Sequence, residues 1–189
     1  DNKMLVFGGL TGSAGSPTSD KLYVYEDDEW KHILSGLKRP GPRMYGSMAS
    51  IGKDAYLFGG WNPGLKGSGG TFYNDVWRFD TETLVWEELS PLQETISRHT
   101  TCAFGNIIVV QTFRDTLVFD ASTGGVRTQV TTGASPTGIS MSCAVAIGSK
   151  MLLIGGSTKE QEMSDKIYIL DTNTWSWESK ECDFALAGM

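Results

Sequence analysis

The sequence is poor in the residues that build metal centres and disulfide scaffolds. It has 3 cysteines and 2 histidines among 189 residues. Cys102, Cys143 and Cys182 are widely spaced and form no CxxC pair, so neither a structural zinc site nor a disulfide framework is indicated. We therefore predict reduced thiols, no metal and no cofactor. Reduced thiols are typical of the cytoplasm, which is the default localisation on this reasoning.

Long apolar segments and clusters of positive charge are also missing. The longest apolar run lies around residues 107–110, far short of the roughly 20 residues that a membrane-spanning helix needs. The formal net charge is -6, and no block of consecutive basic residues is present. A phosphate backbone therefore has no electrostatic attraction to this chain. The sequence predicts neither a membrane span nor a nucleic-acid partner.

What the sequence does contain is an internal repeat, marked by an apolar strand that ends in two glycines. Clear copies lie at residues 4–9 (MLVFGG), 55–60 (AYLFGG) and 151–156 (MLLIGG). Residues 107–112 (IIVVQT) fill the gap between the last two copies, with Gln111 and Thr112 in place of the glycines. Self-similarity of this kind predicts a repeat architecture with four copies.

Two further segments recur with the glycine strand. The same spacing separates Asp80 from Trp86 and Asp171 from Trp177, and each Asp begins a turn whose amides its side chain can bind. Small and apolar residues dominate residues 45–52, 99–105 and 140–148, each of which ends in glycine. We therefore predict four short strands per repeat, with repeat units at approximately 1–34, 43–90, 98–133 and 137–181.

The glycine pair, the aromatic strand, the spaced tryptophan and an arginine before the first strand (Arg43, Arg98) resemble the Kelch repeat. The resemblance covers almost all of residues 1–189 and implies an all-β Kelch-type β-propeller of four-stranded blades, with tryptophan packing between blades. About four blades are present in this single domain, which favours a piece of a larger propeller. A closed four-bladed ring stays open as the alternative, with residues 184–189 pairing beside residues 4–8.

The long connections of such a meander fall on one face. They lie at residues 10–19, 36–42, 61–74, 91–97 and 127–136, and long loops on a rigid scaffold often carry recognition. In the loop at residues 61–74, Trp61, Phe72 and Tyr73 offer aromatic area for a protein partner. The alternative interpretation is that Phe72 and Tyr73 cover the edge of their own blade.

Basic residues near the same face offer a second kind of contact. Arg43, Arg98 and Arg114 are placed to capture acidic groups of a partner, or alternatively to bind carbonyls and carboxylates of neighbouring blades. The predicted partner-binding residues are Trp61, Tyr73, Arg43, Arg98, His99 and Arg114.

Catalytic motifs are absent from the sequence. No GxSxG motif is present, and His32 and His99 fall in segments that should not converge on one ion. Glu160, Glu162 and Asp165 lie together after the last glycine pair, where a solvated acidic loop competes with a calcium site as the explanation. We predict no catalytic residue and a non-enzymatic protein–protein interaction module. The alternatives are a structural subunit of a large complex and a propeller enzyme acting on a carbohydrate or another small molecule.

Overall fold

The structure is a computed structural model that describes residues 3–13, 15–64, 69–160 and 162–181, and its regular elements are all β-strands. In chain order these strands are β1 (Met4–Phe7), β2 (Leu22–Glu26), β3 (Glu29–Ile33), β4 (Ser47–Ile51), β5 (Asp54–Asn62), β6 (Thr71–Asp80), β7 (Val85–Glu88), β8 (Thr100–Phe104), β9 (Ile107–Gln111), β10 (Thr116–Asp120), β11 (Gly125–Gln129), β12 (Thr132–Gly133), β13 (Cys143–Ile147), β14 (Lys150–Ile154), β15 (Lys166–Asp171) and β16 (Ser176–Glu181).

The strands form four sheets, in which the strand order follows the chain except for β12, which lies at the edge of the last sheet beside β16. The sheet orders are β1-β2-β3, β4-β5-β6-β7, β8-β9-β10-β11 and β13-β14-β15-β16-β12. Neighbours are antiparallel except β12, which pairs parallel to β16. The sheets are therefore meanders of short strands, but among the described residues the first sheet has three strands and the last has five, where four per repeat were predicted. The chain divides into two compact units, residues 1–46 with 52–97 and residues 47–51 with 98–189.

In the first unit, the core forms around Trp86. Its ring packs against Phe79 of the same sheet, with 4.9 Å between ring centroids, and edge-on against Phe7 of the first sheet at 5.4 Å. Aromatic pairs at such distances stabilise a core beyond the area that they bury. The predicted packing of a tryptophan between successive sheets is confirmed here.

The core of the second unit has the same construction. Trp177 of the last sheet belongs to one buried cluster with Leu170 and Met151 of its own sheet and with Cys102 and Val109 of the preceding sheet. The other two repeats lack this anchor. Trp30 is half exposed, and Val126 occupies the equivalent position in the third repeat.

The Asp-led turns close as predicted. The carboxylate of Asp80 accepts hydrogen bonds from the backbone N–H groups of Glu82 and Thr83 at 2.8 and 2.9 Å, and Asp171 accepts one from Asn173 at 2.9 Å. These bonds stabilise the ionised carboxylate. The two backbone N–H groups, followed by Lys53, lower the pKa of Asp80 to about 2.

Two predicted loops are wrong in their bounds. In the segment at residues 61–74, β5 continues through Asn62 and β6 already begins at Thr71, so Trp61 and Phe72 are a cross-strand pair. Aromatic side chains favour extended backbone and such pairing. The segment at residues 127–136 likewise contains the end of β11 and all of β12.

Some predicted features lie in residues that the structure does not describe. The predicted closing strand at residues 184–189, as well as Cys182 and the middle of the 61–74 segment, lies outside the described residues. Within the part of the chain that the structure describes, no helix has the length and apolarity that crossing a bilayer requires.

Candidate functional site

The glycine pairs shape the end of the sheets where the candidate site lies. Gly59 and Gly60 have φ values of 47° and 114°. A Cβ on Gly59 would lie 2.4 Å from the carbonyl oxygen of Ile96, and one on Gly8 would lie at the same distance from that of Arg43. Any side chain at these positions would clash with backbone. Glycine is therefore required at the first position of these two pairs, because the connector to the next repeat passes directly against it.

These contacts define which residues are equivalent between repeats. Ile96 is therefore the counterpart of Arg43. Two residues after each of them, Arg98 and Tyr45 have positive φ values of 58° and 59°. Met141 also has a φ of 59°, and like Tyr45 and Arg98 it lies two residues before the first residue of a strand. Arg43 and Arg98 were predicted to share one repeat position, and this prediction is wrong. Arg98 is the counterpart of Tyr45, because Arg43 lies two residues further from its strand.

Arg43 is held inside the first unit, with 1% of its surface exposed. Its Nη1 and Nη2 donate to the two carboxylate oxygens of Asp75 at 2.6 and 2.8 Å. Nη1 also donates to the carbonyl of Gly59 at 2.9 Å, and Nε donates to that of Gly41 at 3.0 Å. The guanidinium lies 4.0 Å from the ring centroid of Tyr73. Arg43 therefore binds carbonyl and carboxylate groups, as the structural alternative predicted, but Gly59 and Asp75 belong to its own repeat and not to a neighbouring blade.

Three aromatic side chains form a row on the same unit. The rings of Tyr45 and Trp61 are nearly parallel, at 5° and 6.3 Å between centroids, and Trp61 stacks on Phe72 at 22° and 5.7 Å. Tyr45 is 38% exposed and Phe72 is 50% exposed, while Trp61 between them is partly buried. We call Tyr45, Trp61 and Phe72 the aromatic row.

The backbone holds the row in place. Met44 and Trp61 exchange two N–H to carbonyl hydrogen bonds, both 2.8 Å long, immediately before Tyr45. A bulky residue with positive φ is strained, and it persists only where its surroundings enforce it. Asn62, which follows Trp61, accepts a hydrogen bond from the Thr18 hydroxyl at 2.9 Å. The aromatic row is therefore presented by a fixed backbone.

Tyr73 lies beside the row in β6 but is engaged with the interior. Its hydroxyl donates to the carbonyl of Pro42 at 3.3 Å, and its ring is covered by the guanidinium of Arg43. Adjacent residues in a strand point to opposite faces, so Tyr73 supports the hairpin that carries the exposed Phe72. The first unit thus brings Trp61, Tyr73 and Arg43 together in one region.

The remaining predicted residues lie in the second unit. Arg98 is exposed and its carbonyl accepts a hydrogen bond from the N–H of Met141 at 2.9 Å, whereas His99 is buried. Arg114 is exposed in the turn that follows β9. Tyr45 was not among the predicted site residues. A signal was present, because Tyr45, Arg98 and Met141 precede their strands at the same distance.

The turn that carries Arg114 shows why the third repeat does not need the glycine pair. The Thr112 hydroxyl accepts N–H bonds from Arg114 and Asp115 at 3.2 and 2.9 Å, and it donates to the Asp115 carbonyl at 3.0 Å. The buried Gln111 amide accepts a bond from the Thr116 hydroxyl at 2.6 Å. Side chains close this connection as a tight turn, so the long loop and its glycine pair are replaced together.

Potential metal ligands and thiols are dispersed. Among the described residues, no three His, Cys, Asp or Glu side chains are grouped so that they could hold a metal ion. Cys102 is buried, which raises the pKa of its thiol to about 11, and Cys143 contributes to the same increase. A thiol with this pKa is protonated at neutral pH and is a poor nucleophile.

Comparisons with known proteins agree with the repeat pattern. The family described as the KLHDC2/KLHL20/DRC7 Kelch-repeats domain matches residues 1–112. Acyl-CoA-binding domain-containing protein 4 of Arabidopsis thaliana is 24% identical over 94% of this chain and 27% of its own length. Kelch-like protein 25 of Xenopus tropicalis is 27% identical over 95% of this chain and 31% of its own length.

A third relative belongs to a fungus. The tRNA wybutosine-synthesizing protein 4 of Candida glabrata is 28% identical over 85% of this chain and 25% of its own length. The chain therefore spans between a quarter and a third of the length of these relatives.

Proposed function

Because the chain belongs to the Kelch-repeat family, we propose that it is a binding module that holds a protein partner against the aromatic row. The all-β structure with its sheets of antiparallel strands is consistent with a partial Kelch-type propeller, so the predicted fold class is confirmed. Kelch-repeat proteins commonly mediate protein–protein interaction and are generally not enzymes.

The observation that carries the proposal is the stacking of Trp61 between Tyr45 and Phe72. Tyrosine and tryptophan dominate the binding energy of protein interfaces because they bury a large area with few rotatable bonds. Here the backbone already fixes the rings, so a partner would lose little side-chain entropy on contact. We expect the partner to contribute an apolar or aromatic side chain to this row.

The residues predicted from the sequence divide into two roles in this proposal. Trp61 is a proposed contact in the first unit, and Arg98 and Arg114 are separately proposed contacts in the second unit because they are exposed. Arg43, Tyr73 and His99 act by holding the backbone from which contacts project, since they are buried or packed inside their own unit. Exposed arginines bind acidic and carbonyl groups of a partner well.

Affinity capture from an extract of the source cells, followed by mass spectrometry, tests the proposal. The bait is the wild-type chain, and the test variant is Phe72→Ala, which removes an exposed ring without opening the core. Trp30→Ala is the matched control because Trp30 is 52% exposed but does not belong to the row. We expect partners that are retained by Trp30→Ala and lost by Phe72→Ala.

The outcomes separate the proposal from its alternatives. Partners that bind all three baits equally would contradict a role for the row. Partners that are many subunits of one assembly, insensitive to Phe72→Ala, would favour a structural subunit. A chain that captures no protein but binds a glycan or small molecule in a ligand screen would favour the enzyme alternative.

A further inference from the structure

Two connectors of the chain are equivalent in length and position. Residues 34–42 follow β3 and residues 130–138 follow β11, and each leads into the next repeat. Pro40 and Pro136 occupy the same place in the two connectors, and both are buried. The alignment needs no gap, and it pairs Leu37 with Gly133.

The second of these connectors adds a strand to the sheet that follows it. The N–H groups of Thr132 and Ala134 donate to the carbonyls of Trp175 and Trp177 at 3.1 and 2.9 Å, so that β12 runs parallel to β16. Gly133 has φ 80°, and a Cβ there would lie 2.2 Å from the Trp177 carbonyl oxygen. Only glycine fits this position.

The first connector cannot close its sheet in the same way. Leu37 stands in the place of the glycine, and its side chain is fully exposed. A groove of about 310 Å³ lies along β7 instead, between Lys38 of the connector and Thr83, Val85 and Trp86. This volume is at the low end of the roughly 300–1,000 Å³ of ligand sites in proteins. Val85 and Trp86, which line this groove, belong to β7, the strand that corresponds to β16.

The edge of β7 offers the same acceptors as the edge of β16. Trp86 pairs with Phe79 as Trp177 pairs with Leu170, which makes the carbonyls of Leu84 and Trp86 the counterparts of those that β12 binds. Outside the strand ladders, no backbone N–H of the described residues donates to either carbonyl. An open edge of this kind is a template for pairing with another chain.

We propose that the outer edge of β7 is a docking site for an extended segment of a partner protein, which adds as a strand parallel to β7. The segment carries glycine opposite the Trp86 carbonyl, for the reason that β12 carries Gly133. Strand addition of this kind takes its affinity from main-chain hydrogen bonds and its specificity from the side chains beside them. Leu37 and Leu34, which are both strongly exposed, are placed to contact apolar side chains of the segment.

The charges around the groove favour a segment of low net charge. Lys38 and Arg78 lie on its lining together with Asp80 and Glu87, and Arg78 is already paired with Glu87 at 2.5 Å. A strongly charged segment would meet like charge as often as opposite charge. The proposed docking site at β7 contains no residue of the aromatic row, so its test is independent of the test of the proposed function.

A synthetic peptide with the sequence of residues 129–136 (QVTTGASP) is the probe, because this segment already forms such a strand within the chain. We expect it to slow amide hydrogen exchange at residues 84–87 of the whole protein. The same peptide with leucine in place of its glycine should bind about tenfold or more weakly, since a Cβ would clash with the Trp86 carbonyl. Val85→Lys should weaken binding, and Val145→Lys, a change at another exposed valine, should not.

A variant of the connector provides a second, independent readout. In Leu37→Gly the connector itself is expected to add to β7 as β12 does to β16, so residues 84–87 should be protected without peptide and peptide binding should weaken. Equal binding of the glycine and leucine peptides would overturn the proposal, as would protection confined to β16. Concentration-dependent dimerisation that protects β7 would assign the edge to a second copy of the chain and overturn the assignment to a partner.

Discussion

Arg43 and Asp75 form a two-point ion pair inside the first unit, with nitrogen–oxygen distances of 2.6 and 2.8 Å. Arg43 lies in the connector before β4 and Asp75 lies in β6, so the pair ties the connector to the middle of the sheet. Such geometry uses the planar fork of the guanidinium, which lysine does not have. The pair is a structural element of the repeat.

We expect Arg43→Leu to destabilise the chain by about 3–5 kcal/mol, because it leaves the carboxylate of Asp75 without its buried partner. Arg43→Lys should restore only part of this loss. Arg39→Ala is the control, since Arg39 forms an exposed pair with Asp20 and should cost about 1 kcal/mol or less. Chemical denaturation measures all three, and equal effects of Arg43→Leu and Arg39→Ala would contradict the structural role of Arg43.

Trp86→Ala and Trp177→Ala should each lower the free energy of unfolding by about 3–5 kcal/mol, the usual cost of removing a large buried aromatic side chain. Trp30→Ala is the matched change at a half-exposed tryptophan, and it should cost much less. Thermal and denaturant unfolding of the three variants provide the measurement. An unchanged denaturation midpoint in Trp86→Ala would show that packing against Phe7 and Phe79 does not anchor the first unit.

Gly59→Ala should be strongly destabilising, because the new Cβ would lie 2.4 Å from the Ile96 carbonyl oxygen and φ is positive there. Gly52→Ala is a control with positive φ but with no atom near the added Cβ. The difference between the two variants in denaturant unfolding isolates the clash. If both variants lost the same stability, the close approach of the connector would have no energetic consequence.

Asp80 should make the free energy of unfolding depend on pH under acidic conditions. Its pKa is about 2 in the folded chain and near 3.9 in an unfolded one, so between these values the unfolded state binds more protons and stability rises with pH. The contribution is complete above about pH 4 and is lost as pH falls through 2. Asp80→Asn keeps an acceptor for the turn amides but removes the charge.

Denaturation of the wild type and of Asp80→Asn across this pH range tests the assignment. We expect the stability difference between the two proteins to shrink steadily as the pH falls from 4 towards 2. A stability difference between the two proteins that stays constant over the whole pH interval would mean that Asp80 is not the titrating group.

The sequence by itself determined the repeat and most of its strands. Its signals are local: the glycine pairs, the Asp-led turns and the spacing from Asp80 to Trp86. Each of them depends on the backbone geometry of only a few neighbouring residues. The family match confirms the resemblance that these residues carried. The division into the predicted repeat units as one domain stays a prediction.

Only the tertiary structure decided what each candidate side chain does. Arg43 and Arg98 look alike in the sequence, yet one is buried against Asp75 and the other is exposed in place of a tyrosine. Trp61 is partly buried in a strand, between two rings that are distant in sequence. The open edge of β7 was equally invisible, because it depends on which residue of a connector meets a carbonyl of another strand. Burial and long-range pairing are set by the whole chain, whereas turns and strands are set locally.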